Sequence, residues 1–174
     1  MAKKRSGEFR VALLDEQHDR DSFTCGAEGL DRYLKTQAGQ DVRRKANAVF
    51  VLTEVAEPAR ILGYYTLAAM AVSQGDVPEA ARKHIPRYPL VSATLIGRLA
   101  VATERQGQRL GAVLLADALQ RAFESASTVG SSMVVVDALD EAAAGFYAAH
   151  GFVRLPDSLR LVLPMRLAGG KTQR

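Results

Sequence analysis

The chain has one cysteine, so Cys25 lacks a partner for an internal disulfide and cannot found a cysteine metal cluster. It reads as a small buried hydrophobe rather than a nucleophile. Long apolar runs are missing too. The longest, 61–72, is interrupted by Gly63 and the Tyr64-Tyr65 pair and falls far short of the roughly 20 residues that span a bilayer. It is expected as a buried strand. After Met1-Ala2-Lys3-Lys4-Arg5, the charges of Glu8, Arg10 and Asp15 break up any apolar segment, so no signal peptide is expected and a cytoplasmic protein is. Internal repeats and low-complexity segments are absent. Aromatic residues make up only 6%, and few sit among the basic clusters, which speaks against base-specific reading of DNA.

What remains is enough for one core and short for two: 174 residues, 48% of them hydrophobic, with mean hydropathy of -0.05. One domain over 1–174 is expected, with flexible ends at 1–7 and 169–174. The net charge is +4 and the pI about 9.4. The excess is clustered at Lys3-Lys4-Arg5, at Arg43-Arg44-Lys45 and at Arg82-Lys83-His84 with Arg87 nearby. Such clusters either dock a polyanion through its phosphates or form solvated faces, and composition alone leaves both open.

Periodicity gives a mixed α/β chain. Apolar alternation at Phe9, Val11 and Leu13 predicts a strand over 9–14. Leu30, Tyr33, Leu34, Gln37 and Ala38 fall at helical spacing from Glu28 to about Gly39, and 40–47 is either loop or helix extension. Two β-rich runs, 48–55 and 61–71, read as antiparallel strands. The proline-rich segment 75–89 holds at most a short helix opened by Pro78. Further strands are expected at 94–101, 131–138, 152–155 and 159–167, with Pro164 at a bulge or edge, and a short helix at 140–150 closed by Gly151. The strand, helix and strand from 94 to 138 make a right-handed parallel crossover.

The stretch 94–122 organises the rest. An apolar strand gives way to a glycine turn, 105–111, that opens directly into an apolar-periodic helix. Backbone N–H groups in such a turn and in the first helical turn lack intrahelical partners and form a cradle for phosphate, with roughly half a positive charge added by the helix dipole. Gly107 and Gly111 allow a diphosphate close to the backbone, and Gln106 and Arg109 offer side-chain donors. A Walker loop is excluded because Gly111 is followed by Ala112 and Val113, and the glycine spacing is not that of a Rossmann turn.

Gln106-Gly107-Gln108-Arg109-Leu110-Gly111 resembles the Q/R-x-x-G-x-G/A motif of the GNAT N-acetyltransferases, with Arg109 where that family usually has glycine. The segment from Asp140 to Phe152 is similar to the family's N-x-x-A-x-x-x-Y-x-x-x-G-F pattern through Asp140, Ala143, Tyr147, Gly151 and Phe152. The resemblance implies the GNAT fold: an α/β architecture with a mixed central β-sheet, splayed parallel strands at the acetyl-CoA site and flanking helices. It implies acetyl-CoA as co-substrate and no metal. The cofactor would be held by Leu99, Ala100, Val101, Gln106, Gly107, Gln108, Arg109, Leu110, Gly111, Asp140 and Ala143. Tyr147 would be the catalytic acid that protonates the departing thiolate, a role a phenol with a pKa of about 10 can fill. Backbone N–H groups of residues 99–101 would polarise the thioester carbonyl. Tyr147 can also be read as a core aromatic beside Phe146 and Phe152, and His150 as a helix-terminal histidine rather than a base.

Phe23-Thr24-Cys25-Gly26, then Leu30-Asp31-Arg32-Tyr33-Leu34, and Ile96-Gly97-Arg98-Leu99-Ala100-Val101 resemble the GNAT toxins of bacterial toxin-antitoxin pairs. This implies acetylation of the α-amine of aminoacyl-tRNA, hence blocked translation. It also implies a homodimer and a ribbon-helix-helix antitoxin partner whose tail covers the active site and whose arms bind operator DNA. Two alternatives stand beside it: a GNAT enzyme acting on a protein or small-molecule amine, and a non-catalytic GNAT-like binding subunit.

Overall fold

A computed structural model describes residues 7–169. The ends expected at 1–7 and 169–174 lie outside these residues except for Gly7 and Gly169, and the Lys3-Lys4-Arg5 cluster lies outside them entirely. The chain runs β1 (Phe9–Leu13), α1 (Glu28–Arg32), a π turn (Tyr33–Gln37), α2 (Ala38–Arg43), β2 (Ala48–Glu54), β3 (Gly63–Ser73) and α3 (Glu79–Arg82). It continues with β4 (Leu90–Val101), α4 (Leu110–Ser125), β5 (Met133–Asp137), α5 (Glu141–Ala149), β6 (Val153–Arg154), β7 (Arg160–Pro164) and α6 (Met165–Ala168). The strands form one mixed sheet in the order β1-β2-β3-β4-β5-β7-β6. Pairing is parallel at β4–β5 and antiparallel at β1–β2, β5–β7 and β6–β7. The chain groups into two units, one built from 7–66 with 98–117, the other from 67–97 with 118–169.

In the first unit β1 pairs with β2 from Phe9↔Glu54 to Leu13↔Phe50. Its core gathers Phe23, Tyr33, Leu34, Val49, Val51, Ile61, Tyr64, Ala100 and Ala102. Burying each large apolar or aromatic side chain contributes about 1.5–3 kcal/mol. Tyr64 reconciles its polar tip with burial by donating to the Leu30 carbonyl at 2.7 Å. Gly63 is required by close approach: a Cβ there would lie 2.8 Å from both the Ala100 carbonyl oxygen and Leu114 Cδ1. The expected helix does not end near Gly39 but continues to Arg43 through the π turn. Asp41 holds that extension by accepting from Tyr33 Oη at 2.8 Å, Gln37 Nε2 at 3.0 Å and Asn47 Nδ2 at 3.0 Å, and Lys45 ends it in a left-handed conformation.

In the second unit the parallel pair runs from Ala93↔Met133 to Ile96↔Val136, while β5 pairs on its other side with β7 from Met133↔Pro164 to Asp137↔Arg160. Val72, Val77, Ile85, Val91, Met133, Val135 and Val162 fill its core. β4 starts at Leu90, four residues before the expected strand, because the alternation of exposed Leu90 and Ser92 with buried Val91 and Ala93 already has a strand's period. Pro164 sits where β7 is paired on one side only, with Met133, beyond the reach of β6; there it closes β7 and caps α6, the helical turn that replaces the end of the expected last strand.

Candidate functional site

The glycine turn is anchored by its polar residues. After β4, Ala102 N–H donates to the Leu62 carbonyl at 2.8 Å, and Thr103 gives its N–H and its hydroxyl to the Thr24 carbonyl at 2.8 and 3.1 Å. Glu104 pairs with Arg60 at 2.8 Å and Arg105 pairs with Glu54. The Gln106 amide nitrogen donates to the carbonyls of Cys25 at 2.9 Å and Val101 at 3.1 Å. The Gln106 side chain thereby pins the turn to the end of β4.

Beyond that pin the backbone is free. Among the described residues no hydrogen bond is made by the N–H groups of Gly107, Gln108, Arg109, Leu110, Gly111 or Ala112. The first helical bond runs from Val113 N–H to the Arg109 carbonyl, so α4 begins at Leu110 and Gly111 lies in its first turn rather than in the loop before it. Gly107 has φ +79° with open space where a Cβ would stand, and Arg109 has φ +62°. Two left-handed residues around a free run of N–H groups at the start of a sixteen-residue helix make an anion nest. Arg109 thus takes the backbone conformation that glycine would supply, at a cost of about 1–2 kcal/mol, and leaves its exposed guanidinium free among the described residues. Leu99 and Val101 are half-buried and Ala100 is buried.

The second block is built around α5. Asp140 caps it, its Oδ1 accepting from Ala143 N–H at 2.8 Å. Phe152 N–H to the Tyr147 carbonyl at 3.2 Å and Gly151 N–H to the Ala148 carbonyl at 3.1 Å close the helix in a Schellman motif, with Gly151 at φ +94°. Tyr147 is buried between Phe146 and Phe152, ring centroids 5.2 and 5.6 Å away and both edge-on. Its hydroxyl makes no hydrogen bond among the described residues, and burial pushes its pKa up to about 12. The ring therefore does pack as a core aromatic, and it keeps a neutral, uncommitted O–H. His150 Nδ1 lies 2.8 Å from the Phe146 carbonyl, as a helix-terminal histidine would.

Other expected positions are placed as follows. Cys25 is half-buried, with a thiol pushed up to about 11 chiefly by desolvation, which leaves it protonated and inert. Arg43, Arg44 and Lys45 are exposed. In the other cluster Arg82 is spent on its own loop, donating to the Val77 carbonyl at 2.9 and 3.1 Å. Sequence reading passed over Arg98, whose guanidinium carbon sits 3.6 Å from the Tyr33 ring centroid; no local spacing announces that contact.

Residues 46–154 match the family model described as an acetyltransferase (GNAT) domain. The chain belongs to the GNAT acetyltransferases. A tRNA-acetylating toxin of Mycobacterium tuberculosis is 33% identical over 162 residues, which cover 92% of this chain and 95% of the relative. Among solved structures, AtaT complexed with acetyl-methionyl-tRNAfMet matches with a TM-score of 0.84 at 30% identity, covering 92% of this chain and 96% of that one. A Tyr-to-Phe variant of the AtaT toxin bound to the C-terminus of the antitoxin AtaR matches with a TM-score of 0.80 at 26% identity, covering 96% and 99%. The GNAT sheet and helices are thus those expected from the two motifs. Among the described residues no group of three or more His, Cys, Asp or Glu is placed to hold a metal, and no helix is long and apolar enough to cross a membrane.

Proposed function

We propose that this chain, acting over 1–174 as one GNAT domain, is a toxin that acetylates the α-amine of aminoacyl-tRNA and so blocks translation. The carrying observation is the run of six unpartnered N–H groups from Gly107 to Ala112, which fits the diphosphate of acetyl-CoA. The likeness to a tRNA-acetylating toxin and to AtaT with acetyl-methionyl-tRNA supports the acceptor. Bound acetyl-CoA supplies an acetyl thioester, from which amine attack forms an amide and frees a thiol. Gly107, Gln108, Leu110 and Gly111 hold the diphosphate through their backbone, and Arg109 adds its guanidinium. Gln106 fixes the loop, residues 99–101 present backbone to pantetheine and the thioester carbonyl, and Asp140 with Ala143 fixes the start of α5.

Tyr147 is the catalytic residue. One proton must pass from the amine to sulfur, and Tyr147 serves that passage as the hydroxyl donor to the leaving sulfur. Its pKa of about 12 keeps it in the donating form at any working pH. An aminoacyl-ester amine is less basic than a lysine, so no strong base is needed to neutralise it. Arg43, Arg44 and Lys45 grip tRNA phosphates. A ribbon-helix-helix antitoxin neutralises the toxin, binding operator DNA with its arms; this follows the toxin resemblance and the AtaT–AtaR complex. The toxin resemblance also supports a homodimer working in the cytoplasm.

The test is acetyl transfer from radiolabelled acetyl-CoA to a mixture of charged and uncharged tRNA. Label on charged tRNA alone is expected. Label that instead enters a protein or small amine would overturn the acceptor assignment. Charge reversal of Arg43, Arg44 and Lys45 is expected to weaken tRNA binding and flatten its dependence on salt; unchanged binding would remove them from the tRNA surface.

A further inference from the structure

We propose that Arg98 binds a backbone phosphate at the 3′ end of the acceptor RNA. This rests on the reading of charged tRNA as acceptor. Arg98 is half-buried on β4 and lays its guanidinium over the ring of Tyr33, 3.6 Å from the centroid. Stacking occupies the face of the guanidinium and leaves its five N–H donors at the edge. Among the described residues those donors meet no carboxylate and no carbonyl, although Arg60, Arg105, Arg154 and Arg160 each hold a carboxylate.

The stacking platform is fixed from behind. Tyr33 is buried and donates to Asp41 at 2.8 Å, and Asp41 is further occupied by Gln37 and Asn47. Asp41 is held below the usual carboxylate range by its hydrogen bonds from Gln37, Tyr33 and Asn47 and, least of these, by the charge of Arg98, so its hydrogen bonds serve the ring and α2 while the Arg98 donors stay open. A half-buried guanidinium held in one orientation, with no carboxylate hydrogen-bonded to its donors among the described residues, is built to receive an anion.

Phosphate can come from acetyl-CoA or from RNA. The diphosphate of acetyl-CoA already has the nest from Gly107 to Ala112 and the Arg109 guanidinium. Arg98 connects elsewhere, through Tyr33 and Asp41 to the end of α2, where Arg43, Arg44 and Lys45 stand exposed between Asp41 and Asn47. That hydrogen-bonded connection to the exposed basic run at the end of α2 favours RNA.

Arg98→Gln and Arg98→Lys are to be compared with wild type, varying charged tRNA and acetyl-CoA separately and measuring uncharged-tRNA binding against salt. For Arg98→Gln we expect a rise of about tenfold in the KM for charged tRNA, as loss of one charged hydrogen-bond pair implies, with kcat and the KM for acetyl-CoA within about twofold. The salt slope should fall by about 0.7, one single-strand phosphate contact. Arg98→Lys should restore the slope but recover only part of the KM, because an ammonium lacks the stacked planar fork. A rise confined to the KM for acetyl-CoA would assign Arg98 to the co-substrate, and unchanged constants would leave it a packing residue; either overturns the inference. Thermal melts check folding, and if Arg98→Gln does not fold, the KM of Arg98→Lys decides. A wild type that labels charged tRNA beside an unaffected Arg98→Gln defeats this inference alone, whereas a wild type that labels only another amine defeats the acceptor reading as well.

Discussion

The stretch from Gly107 to Ala112 and the second half of α5, the two parts of the proposed site, are built from different materials. The first presents backbone: six N–H groups without partners among the described residues, two residues with positive φ, and exposed side chains at Gln108 and Arg109. The second presents one side chain, Tyr147, enclosed by Phe146 and Phe152 and held on a helix capped at both ends. A backbone site is set by conformation, so residue identity matters there only through the φ it permits and the space it leaves. A buried phenol is set by its surroundings, so its identity matters down to one oxygen atom.

The largest expected effect is at that atom. Tyr147→Phe keeps the ring and its edge-on neighbours and removes a hydroxyl that bonds to nothing among the described residues. The fold should keep its stability to within about 0.5 kcal/mol, because no hydrogen bond is lost. The rate should fall by about 100-fold or more while the KM for acetyl-CoA holds, the expected cost of losing a positioned acid. Wild type should also show no loss of rate between pH 8 and 10: an ordinary phenol begins to ionise there, but burial raises this one to about 12, so its proton is lost only as the pH approaches that value. Steady-state kinetics with a thermal melt decides, and a variant that is both active and stable would return Tyr147 to the core.

Gly107→Val should give a smaller effect of the opposite kind. No atom lies within 4 Å of the added Cβ, so packing is not the obstacle; the obstacle is φ +79°. A β-branched residue there costs about 1–2 kcal/mol and is relieved if the turn leaves the left-handed region. The nest then loses its shape, and the KM for acetyl-CoA is expected to rise by about tenfold or more with kcat little changed. Isothermal titration with acetyl-CoA measures it directly; unaltered affinity would mean that the nest is not the diphosphate site.

Sequence made the order of elements legible because strand and helix periods are local. Gly151 announced the end of α5 for the same reason: only a residue at ease with positive φ closes a Schellman motif cheaply. What stayed hidden depends on partners far along the chain. The spacing of Leu30, Tyr33, Leu34 and Ala38 reads as helix whether or not a π turn lies within it, so the turn could not be seen, and the choice between loop and extension after it is made by Asp41 partners the sequence does not announce. The part Gln106 plays in pinning the turn was hidden because its acceptors, the carbonyls of Cys25 and Val101, are fixed only by the fold. Arg98 was invisible as a site because its significance lies in the ring of Tyr33 beneath it.

Arg109 is where the two kinds of site meet, and Arg109→Gly separates them. As a backbone position it pays about 1–2 kcal/mol for φ +62°, which glycine would recover. Glycine in turn gives up roughly 0.5–1 kcal/mol through the freedom it gains in the unfolded chain. The balance is a stability unchanged or raised by about 1.5 kcal/mol at most. As a side chain, Arg109 stands to lose a charge-assisted contact worth about 1.5–3 kcal/mol if it grips the diphosphate, hence roughly tenfold or more in acetyl-CoA affinity. Melting and titration of the same variant therefore move in opposite directions if both roles hold. Affinity that is kept or improved with a higher melting temperature would make Arg109 a strained substitute for glycine and nothing more. A melting temperature that falls would mean that the guanidinium supports the loop itself, and the free run from Gly107 to Ala112 would then depend on a side chain after all.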